Sequence, residues 1–202
     1  MRILIATNNP SKLERVRQLL AGTGIEALSP ADLGIPAVDV EEGNDLDQNA
    51  EAKAKAYAGK TDLPILGMDT AFVIPGENIE PAMVKRNALD GRDESSMTCD
   101  EIANAMVEFY RKIAARHGGT AKALWKDVFA LILPDGSVKR EYGERPVTLT
   151  GEVRGKVDPH LPLRSMYIVE STGKYTADHT PEEHLIELRP YQDALKRLLG
   201  IG

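Results

Sequence analysis

The chain has 202 residues, of which 42% are hydrophobic and 5% aromatic, and its formal net charge is −6. This composition fits one sizeable domain, or two closely packed lobes, over residues 1–202 with a mainly aliphatic core. The negative charge argues against a general nucleic-acid surface. Cys99 is the only cysteine, which excludes an intrachain disulfide. No signal-peptide pattern or membrane-length apolar run occurs, so we expect a cytoplasmic protein without a membrane partner.

The first predicted element is a buried β-strand over residues 3–6, because this short run is entirely apolar and is followed by polar residues. The loop after it carries three polar side chains and one cation, at Thr7, Asn8, Asn9 and Lys12. Ser11 and Glu14 have the spacing of a capping box, which predicts a helix start. Backbone N–H groups and the positive end of the helix dipole meet at such a junction. The segment therefore predicts a phosphate-binding loop, although an ordinary connection fits the same pattern.

The next segments alternate helix and strand. An apolar stripe at helical spacing predicts a helix that ends near Gly22, and the short segment 25–28 predicts a second strand. An alanine-rich helix, whose start has capping-box spacing, is predicted from Asp45 to about Gly59. The apolar segment 64–69 then predicts another buried strand, and the last residue of that strand is an acid.

The second half of the chain predicts a lid, two helices and a hairpin. Residues 75–97 combine Pro, Gly and many charges, which is typical of a long loop or lid. A helix is predicted over residues 98–116, where two following glycines stop it. The β-like runs 121–133 and 137–150 flank a turn signal and predict a hairpin that extends the sheet. A last helix is predicted to begin at Thr180, and the whole pattern indicates an α/β fold.

A second group of polar residues is spread over a loop, a helix and a strand end. Its members are Glu41, Glu42, Asn49, Lys53 and Asp69. Asn49 and Lys53 are four residues apart, so both project from one helix face. Because ligands of open α/β sheets bind at the carboxyl ends of strands, we expect Asp69 and the loop after the first strand to share a crevice. Carboxylates beside cations suit a Mg²⁺-bound polyphosphate; a solvated helix face with stray acids is the alternative.

These motifs resemble those of the inosine/xanthosine triphosphate pyrophosphatase family. Residues 6–12 match the family's Ala-Thr-x-Asn-x-x-Lys motif. Glu41 and residues 49–54 match its Glu followed by Asn-Ala-x-x-Lys-Ala, and residues 68–72 fall on its Asp-Asp-Ser-Gly-Leu motif. The second Asp of the last motif falls on Asp69, whereas Met68 stands in place of the first. That departure removes one carboxylate from the acidic motif.

The resemblance implies a Mg²⁺-dependent nucleoside triphosphate pyrophosphatase, which hydrolyses the α-β phosphate bond to a monophosphate and pyrophosphate. It implies an elongated mixed β-sheet flanked by helices, with two lobes and a central cleft, and a homodimer. Glu41 and Asp69 would hold the metal, and Asp69 and Lys53 would be catalytic. The substrate-binding residues that it implies in this half are Thr7, Asn8, Asn9, Lys12, Asn49 and Thr70.

The carboxyl-terminal half departs from the family. The family's aromatic base-binding motif would fall on residues 161–167, where the aromatic platform and its acid are missing. His184 stands in place of a Lys that contacts the base in the family, and the family's Ser-His-Arg motif falls on residues 188–190. We expect three residues of this half to bind substrate, namely Arg164, His184 and Arg189. Such a cationic group favours an electron-rich or anionic head group, so we expect no strong preference for inosine or xanthosine.

Several alternatives stay open. A shifted alignment would place Tyr167 or Trp125 against a purine after all. A nucleotide-binding regulator that has lost hydrolysis fits Met68, and a hydrolase of another phosphorylated small molecule, such as a sugar nucleotide, would use the same phosphate-binding residues. His179 and His184 are five residues apart, which is not the spacing of a helical zinc site, so we expect no zinc there.

Overall fold

The computed structural model describes residues 1–201. The α-helices are α1 (Pro10–Leu19), α2 (Leu46–Lys55), α3 (Val84–Leu89), α4 (Cys99–Arg116) and α5 (Pro181–Leu199). The strands are β1 (Arg2–Ile5), β2 (Glu26–Leu28), β3 (Ile65–Val73), β4 (Thr120–Ile132), β5 (Val138–Thr150), β6 (Tyr167–Val169) and β7 (Lys174–Tyr175). None of the helices in this described range combines the length and the apolar character that crossing a membrane requires.

The strands form one mixed sheet in the order β2-β1-β3-β4-β5-β6-β7. β1 is parallel to both β2 and β3, while β6 is antiparallel to both β5 and β7. This arrangement confirms the predicted α/β class with a mixed sheet and helices.

Two compact units divide the chain. The first contains Met1–Thr70, Asp127–Gly143 and the residues from Pro190 onward, and the second contains Ala71–Lys126 and Glu144–Arg189. The long strands β3, β4 and β5 and the helix α5 each contribute residues to both units.

The first unit begins with the predicted β-α-β arrangement, but α1 starts differently from the sequence prediction. Asn9, not Ser11, is the N-cap, because its Oδ1 accepts hydrogen bonds from the N–H groups of Ser11 at 2.9 Å and Lys12 at 3.1 Å. Pro10 then occupies the first helical position, where its fixed φ favours the helix and its missing N–H costs nothing. The capping box predicted at Ser11 and Glu14 was therefore wrong.

Helix α2 begins as predicted, with the side chain of Asp45 accepting from Gln48 N at 3.0 Å. It ends at Lys55, before the predicted end at about Gly59, because the chain turns after Ala56 and Gly59 adopts a positive φ of 74°. Strand β3 extends past the predicted end at residue 69, so Asp69 lies inside the strand. Only Ile65 and Leu66 of β3 pair with β1, and Asp69 therefore lies beyond the part that β1 covers.

Gly67 sets the distance between α2 and β3. A methyl group on its Cα would lie 2.0 Å from the carbonyl oxygen of Ala50 and 2.8 Å from the backbone nitrogen of Ala54. Ala50 and Ala54 are themselves fully buried, so small residues on both elements allow this close approach. The same approach brings the functional face of α2 against β3.

Gly67→Ala should therefore destabilise the protein by about 1–3 kcal/mol, since the added methyl group must push α2 away from β3. Urea unfolding measures this change. Gly43→Ala is the matched control, because nothing lies within 4 Å of its added methyl group and its φ is not positive. A Gly67→Ala variant as stable as Gly43→Ala would show that the two elements tolerate a wider spacing.

The second unit confirms one predicted helix and corrects the predicted lid. Helix α4 begins directly after Thr98 and ends at Arg116, as predicted, and its start has a complete capping box between Thr98 and Glu101. The segment 75–97 is not one long loop, because it contains α3 and a 3-10 turn at Glu94–Ser96. Buried residues 88 and 89 anchor α3 to the unit, which the charged composition of the segment concealed.

The predicted hairpin and the last helix are both present. β4 and β5 are neighbours in the sheet, and their turn is closed by the N–H of Leu133, which donates to the carbonyl oxygen of Ser137 at 2.9 Å. The last helix, α5, begins with a reciprocal cap: Glu183 N donates to Thr180 Oγ1 at 3.2 Å, and Thr180 N donates to Glu183 Oε2 at 3.0 Å.

Candidate functional site

Two predicted residues of the first unit, Asn49 and Lys53, meet at the carboxylate of Asp69, which is only 3% exposed. Asp69 Oδ1 accepts from Lys53 Nζ at 2.7 Å, and Asp69 Oδ2 accepts from Asn49 Nδ2 at 2.8 Å. Because Asn49 and Lys53 are four residues apart on α2, both reach the same carboxylate. The charge of Asp69 is therefore balanced by an ammonium group and fixed by an amide.

Lys53 also contacts a second acid. Its Nζ lies 2.7 Å from Glu42 Oε1, so one ammonium group bridges Glu42 and Asp69. Glu41, the predicted metal ligand, is exposed. The sequence pointed to this pair of acids, but the contact with Lys53 belongs to Glu42.

Asn49 holds the loop that carries these acids. Its Oδ1 accepts from Gly43 N at 2.8 Å, and its Nδ2 donates to Gly43 O at 2.8 Å as well as to Asp69. Both hydrogens of the amide therefore have protein partners, and the residue is buried. In this structure Asn49 positions Asp69 and the loop around Gly43.

The loop after β1 uses part of its hydrogen-bonding capacity internally. Thr7 Oγ1 accepts from Asn9 N at 3.1 Å, and Asn9 Oδ1 caps α1 as described above. Asn8 is exposed, and its Nδ2 donates to Val38 O at 3.4 Å. The N–H groups at the start of α1 that the Asn9 side chain binds are thus not open to a phosphate, and Lys12 is the charged group that this loop presents.

Both cations and acids of the first unit affect the pKa of Lys12. Burial lowers the pKa of its ammonium group, and the positive charge of Lys53 lowers it further. The carboxylates that act in the opposite direction are those of Asp69, Asp127 and Glu42. An anionic ligand between Lys12 and Lys53 would relieve the repulsion between these two cations, which is what a phosphate group would do.

Asp127 is a buried acid that the sequence reasoning did not select. It lies on β4 and is 3% exposed. The hydroxyl of Thr70, a predicted substrate-binding residue, donates to Asp127 Oδ1. Asp127 was detectable in principle, because the apolar end of the predicted strand 121–133 begins directly after this acid.

A second charged cluster lies in the second unit, around the buried carboxylate of Glu187. Glu187 forms an ion pair with Arg145, and its Oε2 lies 3.2 Å from His184 Nδ1 and 3.3 Å from His179 Nδ1. Arg164 Nη2 lies 3.5 Å from the same His184 nitrogen. The structure therefore brings together the predicted Arg164 and His184 and adds two residues that the sequence reasoning missed, Arg145 and Glu187.

Arg189 and His179 of the same unit differ in their surroundings. Arg189 is exposed. His179, which the spacing argument had set aside, converges with His184 on Glu187. Burial lowers the pKa of His179, and the nearby charges of Arg164, Lys174 and Arg145 lower it as well, although Glu183 acts in the opposite direction. The cluster is thus a cationic environment around one carboxylate.

Of the two aromatic residues proposed for a purine, Tyr167 is buried in the core. Its hydroxyl accepts from Arg145 Nη1 at 3.2 Å. Although burial acts to raise it, the pKa of Tyr167 is lowered by the charges of Arg145 and Arg164. Trp125 is half-buried, and the centroid of its ring lies 4.3 Å from that of Phe72. Trp125 therefore keeps some solvent-exposed surface, whereas Tyr167 does not.

Comparison with known proteins identifies the family. The sequence profile of the Ham1 family matches residues 3–182. A dITP/XTP pyrophosphatase from Brucella melitensis is 29% identical over 189 residues, which cover 90% of this chain and 81% of the relative. One from Rhodopseudomonas palustris is 32% identical over 159 residues, 76% of this chain and 71% of the relative.

Solved structures agree with this assignment at the level of the fold. A HAM1 protein from Coxiella burnetii has a TM-score of 0.75 and 24% identity, and the match covers 99% of this chain and 98% of that one. The Ham1 protein of Staphylococcus aureus has a TM-score of 0.72 at 20% identity, over 99% of this chain and 98% of that one. With a family profile that spans most of its length, the chain belongs to the Ham1 family.

Proposed function

We propose that the chain is a metal-dependent nucleoside triphosphate pyrophosphatase, which cleaves the α-β phosphate bond and releases pyrophosphate. The observation that carries this proposal is the buried carboxylate of Asp69, held by Lys53 and Asn49 and accompanied by Glu42. Two cations beside several carboxylates can bind phosphate groups and activate water in the same place. The dITP/XTP pyrophosphatases among the relatives support the same reaction.

The donor set of the first unit fits a magnesium ion. Glu42 and Asp69 both lie 2.7 Å from one ammonium nitrogen, so these two carboxylates already surround a cationic group. Carboxylate oxygens are the protein ligands that Mg²⁺ prefers, together with phosphate oxygens and water. Glu42 and Asp69 would hold the ion, which would neutralise phosphate charge and acidify a bound water.

Other side chains bind the phosphates, activate water and position the catalytic carboxylate. Lys12 and Lys53 bind phosphate oxygens and stabilise the charge that builds up on the leaving pyrophosphate. Asp69 orients the attacking water and accepts its proton at a carboxylate oxygen. Asn49 keeps the Asp69 carboxylate in place, because its amide is fixed to the backbone of Gly43 at the same time.

Glu42→Gln should raise the Mg²⁺ concentration that gives half-maximal activity by about tenfold, because it removes a carboxylate charge next to Lys53. Glu41→Gln is the matched comparison, since the same change is made one residue earlier at an exposed position. Pyrophosphate release measured against Mg²⁺ concentration separates the two. A larger shift for Glu41→Gln would return the metal-binding role to Glu41, as the family resemblance implies.

We also propose that the head group differs from that of the deaminated purine nucleotides. Leu161 and Leu163 offer no aromatic face, and Leu163 is buried in the core. The second unit offers Arg164 beside His184 instead, and a guanidinium group donates hydrogen bonds without accepting any. Such a group favours a carbonyl-rich or anionic head group. The homodimer implied by the family belongs to this proposal too, and light scattering would test it.

Pyrophosphate release across a nucleotide panel, with Mg²⁺ and with a chelator, tests both parts. We expect pyrophosphate, not orthophosphate, from at least one triphosphate, and no product with the chelator. A preference of about a hundredfold for inosine and xanthosine triphosphates, about 2.7 kcal/mol of discrimination, would refute the altered specificity. Tight triphosphate binding without any product would instead support the regulator that has lost hydrolysis.

A further inference from the structure

His179 has a buried ring nitrogen without a hydrogen-bond partner. Its side chain is 2% exposed, and its Nδ1 makes no hydrogen bond within residues 1–201. Glu187 Oε2 lies 3.3 Å from this nitrogen, yet the two atoms do not form a hydrogen bond. A buried polar atom that is left unpaired costs free energy, so its retention points to a ligand.

The other nitrogen of the ring shows where the proton of a neutral His179 lies. Nε2 is 2.8 Å from Thr172 Oγ1, and the same hydroxyl donates to the carbonyl oxygen of Val169 at 3.3 Å. Because a hydroxyl has one hydrogen and Val169 takes it, Thr172 Oγ1 accepts from the Nε2–H of His179. Nδ1 therefore carries a lone pair and lies beside the carboxylate of Glu187 with no proton between them. Burial lowers the pKa of His179, which favours this neutral form.

A second imidazole nitrogen lies next to the same carboxylate oxygen. His184 Nδ1 is 3.2 Å from Glu187 Oε2, and these two atoms and His179 Nδ1 all lie within 4.8 Å of one another. Tetrahedral zinc with bonds of about 2.0–2.1 Å holds its ligand atoms about 3.3–3.4 Å apart. The separations of Glu187 Oε2 from the two nitrogens therefore suit two edges of a zinc tetrahedron.

Two adjoining segments supply these three side chains. His184 and Glu187 are three residues apart on α5, so they project from one face of the helix. His179 precedes the helix and follows a 3-10 turn at Thr176–Asp178. The spacing argument against zinc considered two histidines on one helix, whereas the pair on the helix is a histidine and a glutamate.

We propose that His179 Nδ1, His184 Nδ1 and Glu187 Oε2 form a binding site for Zn²⁺. Imidazole nitrogens suit zinc, whereas Mg²⁺ prefers oxygen ligands, so this site differs from the one proposed in the first unit. Three protein ligands leave a fourth position for water. The side chain of His184 is 32% exposed, which gives the ion a path from solvent. When its Nδ1 binds the ion, His184 carries its proton on Nε2.

Charged side chains around the site act in both directions. Arg145 pairs with Glu187 Oε1, which leaves Oε2 for the metal and orients the carboxylate. Arg164 and Lys174 add positive charge near His179, whereas Glu183 adds negative charge. An ion held by charge alone would bind poorly beside these cations. Zinc gains from its bonds to nitrogen, which is a further reason why it fits this site better than Mg²⁺.

Zn²⁺ binding to the purified protein tests the site without using turnover. Saturating Mg²⁺ is present throughout to keep Zn²⁺ from the carboxylates of the first unit, and competition with a chromogenic chelator gives the affinity. We expect His179→Gln to bind Zn²⁺ at least about tenfold more weakly than the wild type, because it removes a ligand. His160→Gln is the matched control, since it makes the same change at an exposed histidine of the same unit, and it should bind within about twofold of the wild type.

A second variant covers the case in which His179→Gln does not fold. His184→Cys replaces an imidazole by a thiolate at a partly exposed position. When Co²⁺ takes the place of Zn²⁺, a thiolate ligand produces a charge-transfer absorption band in the near ultraviolet. We expect this band in His184→Cys and not in the wild type, whose single cysteine, Cys99, is exposed and lies outside the site.

Unchanged Zn²⁺ affinity in a folded His179→Gln, or a Co²⁺ complex of His184→Cys without the band, overturns the proposal. A wild type that does not bind Zn²⁺ overturns it too, and a proton would then lie between His179 and Glu187. The site does not depend on the proposed function. Zn²⁺ binding at these residues in a chain that releases no pyrophosphate would support the site and refute only the proposed reaction.

Discussion

Asp69→Asn should reduce the rate of pyrophosphate release by about a thousandfold, which corresponds to about 4 kcal/mol of transition-state stabilisation. The change keeps the shape of the side chain but removes the charge that pairs with Lys53 and the group that accepts the proton of water. Lys53 would keep Glu42 as its remaining partner from this pair. A fall in kcat is therefore expected even at saturating substrate.

The control is Asp62→Asn, an isosteric change at an exposed position of the first unit. It should leave kcat within twofold of the wild type. Urea unfolding of both variants shows whether a lost activity reflects lost structure, because an unfolded fraction would lower the amount of active enzyme instead of the rate per active site. Near-normal turnover in a folded Asp69→Asn would remove Asp69 from the chemistry.

The part of this site that depends on local periodicity could be predicted from the sequence. Asn49 and Lys53 project from one helix face, and the apolar run before Asp69 marks a buried strand, so their meeting needs only a helix that packs on that strand. The close approach depends on Gly67 and on the small residues of α2, a pattern that the alanine-rich composition of this helix already indicated.

The site residues that were not predicted are placed by contacts between segments far apart in the sequence. The choice between Glu41 and Glu42 depends on the path of a loop, which Asn49 fixes through the backbone of Gly43. Asp127 is 57 residues away from Thr70 in sequence, and their contact exists only because β4 lies beside β3 in the sheet. No local pattern contains that information.

The helix start at Asn9 was missed for a different reason, since two candidate caps compete within three residues. Both Asn9 and Ser11 are good N-cap residues. Pro10 decides between them, because its ring fixes φ near the helical value and it suits the first helical position. A cap at Ser11 would leave Pro10 outside the helix.

Breaking the buried ion pair of the second unit should have the largest effect on stability. The side chains of Arg145 and Glu187 are 7% and 1% exposed, so neither charge is compensated by water. Glu187→Gln should lower the free energy of unfolding by about 3–5 kcal/mol, because it leaves the Arg145 guanidinium group buried opposite a neutral amide. Urea unfolding measures the loss.

Two further variants show whether the loss comes from an unpaired buried charge. Glu170→Gln breaks the ion pair with Lys122 in the same unit, where the two side chains are 39% and 76% exposed, and should cost less than about 1 kcal/mol. The double variant Arg145→Met/Glu187→Leu removes both buried charges and should be more stable than Glu187→Gln alone. If the double variant is instead less stable than Glu187→Gln, the pair stabilises this unit through its hydrogen bonds to Tyr167 and His184, and the charge of Arg145 is not the cause.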